Sequence, residues 1–241
     1  MNDSVQIIPL ARLALAFIPV AAVLFIIHRW SLGLRTGLIA VFRMVSQLLL
    51  VGYVLTFIFA SQRAMVSVSV VAVMLSTAGW IALRPLGDDR LHRYPAVLVS
   101  ICGGALPVLF IATLLVLDLP TWFTPSMFIP LAGIVLANSM NTVSLAAERF
   151  RAERLRGVTY RAARHAAMST ALIPMTNSLL AVGLVSLPGM MTGQILSGVT
   201  PLIAVRYQVL VMCMIFGSAG LATSCYLVLQ RPESETDSAA N

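Results

Sequence analysis

The sequence predicts an all-α polytopic membrane protein with about seven transmembrane helices, and three observations lead to this fold class. Of the 241 residues, 59% are hydrophobic and only 10% are charged, whereas soluble globular domains carry about 25% charged residues. The apolar residues form seven runs of about 20 residues, the length that crosses a bilayer as a helix. The arginines concentrate in alternate loops. These features exclude an ordinary soluble enzyme, a disordered protein and a coiled coil.

The predicted segments follow one another with short polar loops between them. In chain order they cover residues 7–27, 37–60, 64–83, 96–117, 127–147, 167–187 and 207–229. Because the hydrocarbon core offers no hydrogen-bond partners, each run is expected to satisfy its backbone as a helix. The first run lacks a preceding basic region and a small-residue cleavage site, so it is not predicted to be a signal peptide. We expect one transmembrane domain over 1–229 and a disordered cytoplasmic tail over 230–241.

The arginines orient these segments. Twelve of the 16 lie in the tail and in the loops at 28–36, 84–95 and 148–166, whereas the loops on the other side hold only Arg63 and Arg206. Cytoplasmic loops of membrane proteins are enriched in Arg and Lys. The N-terminus is therefore predicted outside and the C-terminus inside.

The chain contains no lysine at all. A P-loop needs a lysine on the nucleotide phosphates, so the chain is not expected to hydrolyse ATP. A retinal cofactor would need a Schiff-base lysine, and no cofactor is predicted. The net charge of +7 lies in short loops between apolar runs, so nucleic acid is not an expected partner, whereas the lipid bilayer is.

The loop at 148–166 is the most charged connection. It holds six arginines, with Arg149 and Glu153 one helical turn apart, and Gly157 interrupts the helical pattern. A short helix, a turn and a second helix are predicted. Two interpretations stay open: the loop anchors the protein on anionic headgroups, or it docks a cytoplasmic partner.

The uncharged stretch at 187–201 is rich in glycine and proline, which are unfavourable inside a helix. Irregular backbone at membrane depth is tolerated where it is buried in protein or lines a cavity, and transporters place substrate sites at broken helices. The stretch is a candidate for the translocation pathway, and an ordinary kink with an outer loop is the alternative. Its candidate pathway residues are Pro188, Gly189, Met190, Met191, Gly193 and Gln194.

Polar residues inside the spans extend this predicted pathway. Arg43 and Gln47 share one helix face, and a charge within a span usually faces protein or water. Asn138, Asn141 and Asn177 lie in the fifth and sixth segments. Snorkelling of Arg43 and interhelical hydrogen bonding of the asparagines are the alternatives. The 12 methionines suit either a soft-metal site or apolar packing, and no metal ligands are assigned.

Several stretches resemble the FetB-type (UPF0014) ABC transporter permeases, which include proteins assigned to bacterial iron export and related plant proteins of aluminium tolerance. The resemblance covers about residues 30–225. The most specific motif is Leu-Pro-Gly-Met-Met-Thr-Gly-Gln at 187–194, and the others lie at 43–54, 128–141, 171–178 and 204–208.

This resemblance implies a multi-pass permease subunit of an ABC transporter in the inner membrane of a bacterium, exporting an iron-like metal ion. It implies a separate ATP-binding-cassette ATPase as partner and a homodimer of permeases. The implied coupling residues are Glu153, Arg154, Arg156 and Gly157. Of the family's coupling pattern only Glu153 and Gly157 match, and the loop is shorter than the resemblance leads us to expect.

Two other classes of protein are alternatives to a permease without its own enzymatic activity. A stand-alone proton-coupled carrier or channel needs acidic residues at mid-membrane, whereas Asp118 and Glu148 lie at the ends of segments. An intramembrane serine protease needs a histidine at span depth, and the histidines lie in inner loops. The carrier or channel remains the alternative prediction.

Overall fold

The computed structural model describes residues 8–60, 63–119 and 121–231, and these residues form α-helices joined by short turns. The α-helices are α1 (Leu10–Leu15), α2 (Phe17–Arg29), α3 (Leu34–Ala60), α4 (Ala64–Ala82), α5 (Arg90–Phe110), α6 (Pro125–Leu155), α7 (Tyr160–Ala181), α8 (Gly189–Leu196) and α9 (Pro201–Leu229). A 3₁₀ segment (Arg84–Asp89) precedes α5, and a π-helical segment (Ile111–Val116) extends it. The all-α prediction is confirmed over these ranges. Of the predicted tail, only Gln230 and Arg231 lie within them.

Six helical stretches in this described part of the chain are long and apolar enough to cross a membrane. They are Leu10–Arg29, Leu34–Ala60, Ala64–Ala82, Arg90–Val116, Pro125–Leu155 and Pro201–Leu229. The polytopic membrane class is therefore confirmed. The helix α7 is not among the six, since its first turns carry Arg161, Arg164 and His165. The count of seven spans and the orientation stay predictions.

Contacts divide the chain into two units, of which the first covers Met1–Ala60 and contains α1, α2 and α3. None of its described residues is buried. Large apolar side chains such as Phe42, Tyr53 and Phe57 are more than 70% exposed. Since soluble proteins rarely expose apolar surface on this scale, hydrocarbon is the solvent that suits this unit.

The second unit, Ser61–Asn241, contains α4 to α9 and the buried core. There α9 packs against α5 and α6, while α6 also packs against α4 and α7. The tightest approach is at Gly104 of α5, where a Cβ would lie 2.3 Å from the backbone nitrogen of Ala222 in α9. Small residues at helix crossings are typical of membrane bundles, because they let two backbones approach closely.

Several predicted boundaries differ from the structure. The helices α5 and α9 each begin six residues before the segments predicted from 96 and from 207, and both ends of the sixth segment also differ. Most of the predicted loop at 148–166 is helical, because α6 continues to Leu155 and α7 begins at Tyr160, so the turn covers only 156–159. The buried side chains of Phe150 and Tyr160 keep both helices ordered outside the apolar runs. At its other end α7 stops at Ala181, whereas the sixth segment was predicted to reach 187. The cause is a turn with Gly183 at φ +84°.

Candidate functional site

A cavity of about 410 Å³ lies in the second unit between α6, α7, the turn after α7 and α9. Three predicted pathway residues, Asn138, Asn177 and Pro188, line it together although they are distant in sequence. Its other polar or sulfur-bearing lining residues are Met175, Ser178, Ser186 and Met212. The cavity is therefore the candidate substrate site, and we call it the amide cavity.

The backbone beside the amide cavity is irregular, but its N–H and carbonyl groups form hydrogen bonds with one another. The N–H of Val185 donates to the carbonyl of Ala181 over 2.8 Å, and the N–H of Gly183 donates to the carbonyl of Ser186 over 2.9 Å. Pro188 then precedes the two-turn helix α8. The helix break predicted at 187–201 thus begins earlier, at 182, and contains a short helix. Internal bonding is what membrane depth requires of such backbone.

The chemistry of the amide cavity is neutral. Its lining consists of amides, hydroxyls, thioethers and aliphatic groups, without a charged side chain. The Nδ2 of Asn138 donates to the carbonyl of Ile134 over 2.8 Å, and the Ser178 hydroxyl donates to the carbonyl of Pro174 over 2.9 Å. This lining can solvate a substrate by oxygen and sulfur contacts, but it holds no nucleophile–base pair.

No metal-ligand set accompanies this cavity. Within residues 8–60, 63–119 and 121–231, no group of three or more His, Cys, Asp or Glu side chains is placed to hold a metal ion. Met175 and Met212 supply soft thioether sulfurs, and Asn138 and Asn177 supply amide oxygens.

The remaining predicted pathway residues lie elsewhere. Met190 lines a smaller cavity of about 80 Å³ with Tyr207 and Pro130. Met191 and Gln194 are half-buried, whereas Asn141, Gly189 and Gly193 are exposed. Arg43 and Gln47 lie on α3 in the first unit, where both are exposed.

Sequence reasoning assigned no pathway role to two residues of this region, Gln208 and Met212. Gln208 on α9 is 5% exposed, and its Oε1 makes no hydrogen bond within the described chain, as is also true of the Gln194 Oε1. An amide within the apolar residues of α9 was the available signal. Met212 gave no such signal, because every face of α9 is apolar and only packing decides which face meets the cavity.

The four predicted coupling residues lie in the last turn of α6 and in the connection from α6 to α7, and we call residues 153–160 the basic turn. Glu153 is 8% exposed, and its Oε1 lies 2.7 Å from a guanidinium nitrogen of Arg149 and 3.7 Å from one of Arg156. Arg154 donates to the carbonyl of Val158 over 3.0 Å. Gly157 has φ +78°, which only glycine adopts at little cost.

The basic turn is tied to α9 by Tyr160. This side chain is buried, and its hydroxyl donates to the carbonyl of Leu227 over 2.8 Å. Its ring packs edge-on against Phe150, with 6.0 Å between the ring centroids. The turn is therefore preorganised by its ion pairs, its backbone bonds and a buried aromatic pair.

Comparison with known proteins finds a matching family model and similar sequences. The chain matches the model of the Uncharacterised protein family (UPF0014) over residues 10–159 and 156–233. It is 32% identical to the "Probable iron export permease protein FetB" of Escherichia coli (strain K12), over 91% of this chain and 90% of the relative. It is 30% identical to "Protein ALUMINUM SENSITIVE 3" of Arabidopsis thaliana, over 89% of this chain and 84% of the relative. No solved structure matches the chain.

Proposed function

The chain belongs to the UPF0014 family of membrane proteins, and we propose that it is the permease subunit of an ABC transporter that exports a metal ion such as iron. In this proposal a separate subunit hydrolyses ATP, because this chain has no lysine with which to build a P-loop. Two copies of the chain pair in the bacterial inner membrane, with the basic turn on the cytoplasmic side. The relative named as an iron export permease supplies the proposed substrate class.

One observation carries the coupling part of the proposal: a single helix joins the basic turn to the amide cavity. The 22 residues of α7 span about 33 Å. Its first residue, Tyr160, belongs to the preorganised turn, and its last turn contributes Asn177, Ser178 and Ala181 to the cavity. A push on the basic turn would therefore be transmitted along α7 to the cavity wall, and Pro174 within the helix is the point at which α7 can bend.

The alternative is a stand-alone proton-coupled carrier or channel. Such a carrier needs titratable groups along its path. The residues that line the amide cavity are uncharged amides, hydroxyls, thioethers and aliphatic groups. This lining favours the ATP-driven permease.

The test replaces Gly157 by proline in the full chain and measures copurification of the ATPase and ATP-driven Fe²⁺ transport in proteoliposomes. Proline cannot adopt φ +78°, and it removes the N–H that donates to the carbonyl of Arg154. We expect transport to be lost while the chain still inserts into the membrane.

The matched control is Gly33→Pro. Gly33 also has a positive φ of +85° and open space around it, in the turn before α3. We expect this variant to keep ATP-driven transport. Normal transport by Gly157→Pro, or equal failure of both variants, would contradict the coupling assignment. Transport that persists without ATP would favour the stand-alone carrier.

A further inference from the structure

A second cavity, of about 420 Å³, lies between the start of α7 and the end of α9. None of its lining residues is a predicted coupling residue, and none of them lines the amide cavity. Three basic residues of α7 line it, namely Arg161, Arg164 and His165. The rest of the lining is apolar apart from one hydroxyl, and it consists of Met168 of α7 and of Ser224, Leu227 and Val228 of α9.

Among the residues whose side chains the structure describes, no acidic side chain pairs with this positive charge. The ion pairs found among the described residues are those of Glu153 with Arg149 and Arg156, and neither Arg161 nor Arg164 takes part. The guanidinium carbon of Arg164 lies 5.6 Å from the centroid of the Tyr160 ring. The arginines also occupy the first two turns of α7, where the helix dipole adds partial positive charge. This concentration of positive charge favours an anionic ligand.

The apolar wall narrows the choice of anion. The hydrogen bond from Tyr160 to the carbonyl of Leu227 holds α7 against α9 and fixes the two sides of the cavity. Val228 is 57% exposed and Met168 is half-buried beside the basic residues. A soluble phosphate gains nothing from such a wall, whereas a phospholipid has an apolar chain next to its charged headgroup.

We propose that this cavity binds an anionic phospholipid. Its phosphate lies on Arg161, Arg164 and His165, and an acyl chain lies along Met168, Leu227 and Val228. Basic pockets between membrane helices are known to suit anionic headgroups. The C-terminal carbonyls of α9 also attract cations, but that attraction requires neither a cavity nor an apolar wall. The proposal does not depend on the transport function.

The test is native mass spectrometry of the detergent-solubilised full chain with equal amounts of phosphatidylglycerol and phosphatidylcholine. The wild type should retain more phosphatidylglycerol than phosphatidylcholine. The double variant Arg161→Gln/Arg164→Gln should lower its affinity for phosphatidylglycerol about thirtyfold, since each arginine near an anionic lipid contributes about fivefold. A second variant, Val228→Glu, places an acid in the exposed wall and should lower the same affinity without touching the arginines.

The matched control is Arg84→Gln, which removes another exposed arginine that does not line the cavity. It should bind phosphatidylglycerol as the wild type does. Unchanged binding by the double variant, or an equal loss in the control, would overturn the proposal. Displacement of phosphatidylglycerol by millimolar inorganic phosphate, with no preference between the two lipids, would assign the site to free phosphate instead and overturn it as well.

Discussion

The two ends of α7 lead into turns that are built in different ways. The basic turn at 153–160 carries a nearly buried carboxylate with two arginines around it and a buried tyrosine bonded to α9. The segment at 182–200, which we call the neutral segment, has no charged residue and closes on itself by backbone hydrogen bonds. There Leu184 and Val185 are 91% and 84% exposed.

This difference indicates which of the two segments beside α7 deforms more easily. Local stability follows the number of buried contacts. The basic turn contains the buried Glu153 and Tyr160, whereas no residue of the neutral segment is buried. In a coupled permease, the part that receives a push needs to be stiff, and the part that lines the substrate path needs to move. The two ends of α7 have those contrasting properties, which is consistent with the proposed direction of coupling.

The largest effect on the free energy of unfolding is expected from removing the Tyr160 side chain, which connects the basic turn to α9. Tyr160→Ala should lower the free energy of unfolding by about 4 kcal/mol, since it deletes a buried aromatic ring and its hydrogen bond to Leu227. Tyr160→Phe removes the hydroxyl alone and should cost about 1 kcal/mol. Thermal and denaturant unfolding in detergent micelles measure both.

The matched change in the neutral segment is Leu184→Ala, which removes a 91% exposed side chain. It should change the free energy of unfolding by less than about 0.5 kcal/mol. If Leu184→Ala and Tyr160→Ala were equally destabilising, the contrast between the two ends of α7 would not hold.

An effect about half that of Tyr160→Ala is expected from breaking the ion pair in the basic turn. Glu153→Gln should cost about 2 kcal/mol, because the carboxylate is nearly buried and its 2.7 Å contact with Arg149 is charge-assisted. The 40% exposure of the Arg149 side chain keeps the value below that of a fully buried pair.

A double-mutant cycle with Arg149→Gln isolates the interaction. We expect the double variant to lose less free energy of unfolding than the sum of the losses of the two single variants. Additive effects would show that Glu153 stabilises the turn through something other than Arg149.

Particular residues show how much of this could be predicted from sequence. The spacing of Arg149 and Glu153 and the position of Gly157 predicted a helix, a turn and a helix, and the structure has them. The start of α7 at Tyr160 was not predicted, because hydropathy reports the solvent around a helix and not whether the backbone is helical. Charged residues at 148–166 were therefore assigned to a loop, although α6 and α7 both continue into that stretch.

The amide cavity could be predicted only in part. Asn138, Asn177 and Pro188 stood out because amides and proline are unusual within apolar runs. Met175 and Ser186 could not be assigned to the cavity without knowing where α7 ends. The end at Ala181 depends on a single glycine, Gly183, within the apolar stretch that follows. Which residues share a cavity is decided by packing between elements distant in sequence, and one sequence does not report that packing.

A last pair of substitutions tests whether the contrast lies in the side chains or in the backbone. Each segment contains a glycine at positive φ, Gly157 at +78° and Gly198 at +90°. The two turns have the same hydrogen bonds. In each, the glycine N–H donates to the carbonyl of the residue three positions before the glycine, and the N–H of the following residue donates to the carbonyl five positions before that following residue. Both turns therefore have the Schellman geometry that ends a helix.

Gly157→Ala and Gly198→Ala should each cost about 1 kcal/mol, since a left-handed conformation is strained for alanine and a Cβ meets no atom within 4 Å at either position. Equal losses in the free energy of unfolding would show that the backbone turns are equivalent. The stiffness of the basic turn would then come from Glu153, Tyr160 and their partners. A larger loss at Gly157 would mean instead that the surrounding side chains resist any shift of the backbone, so that the two turns differ in their backbone energetics as well.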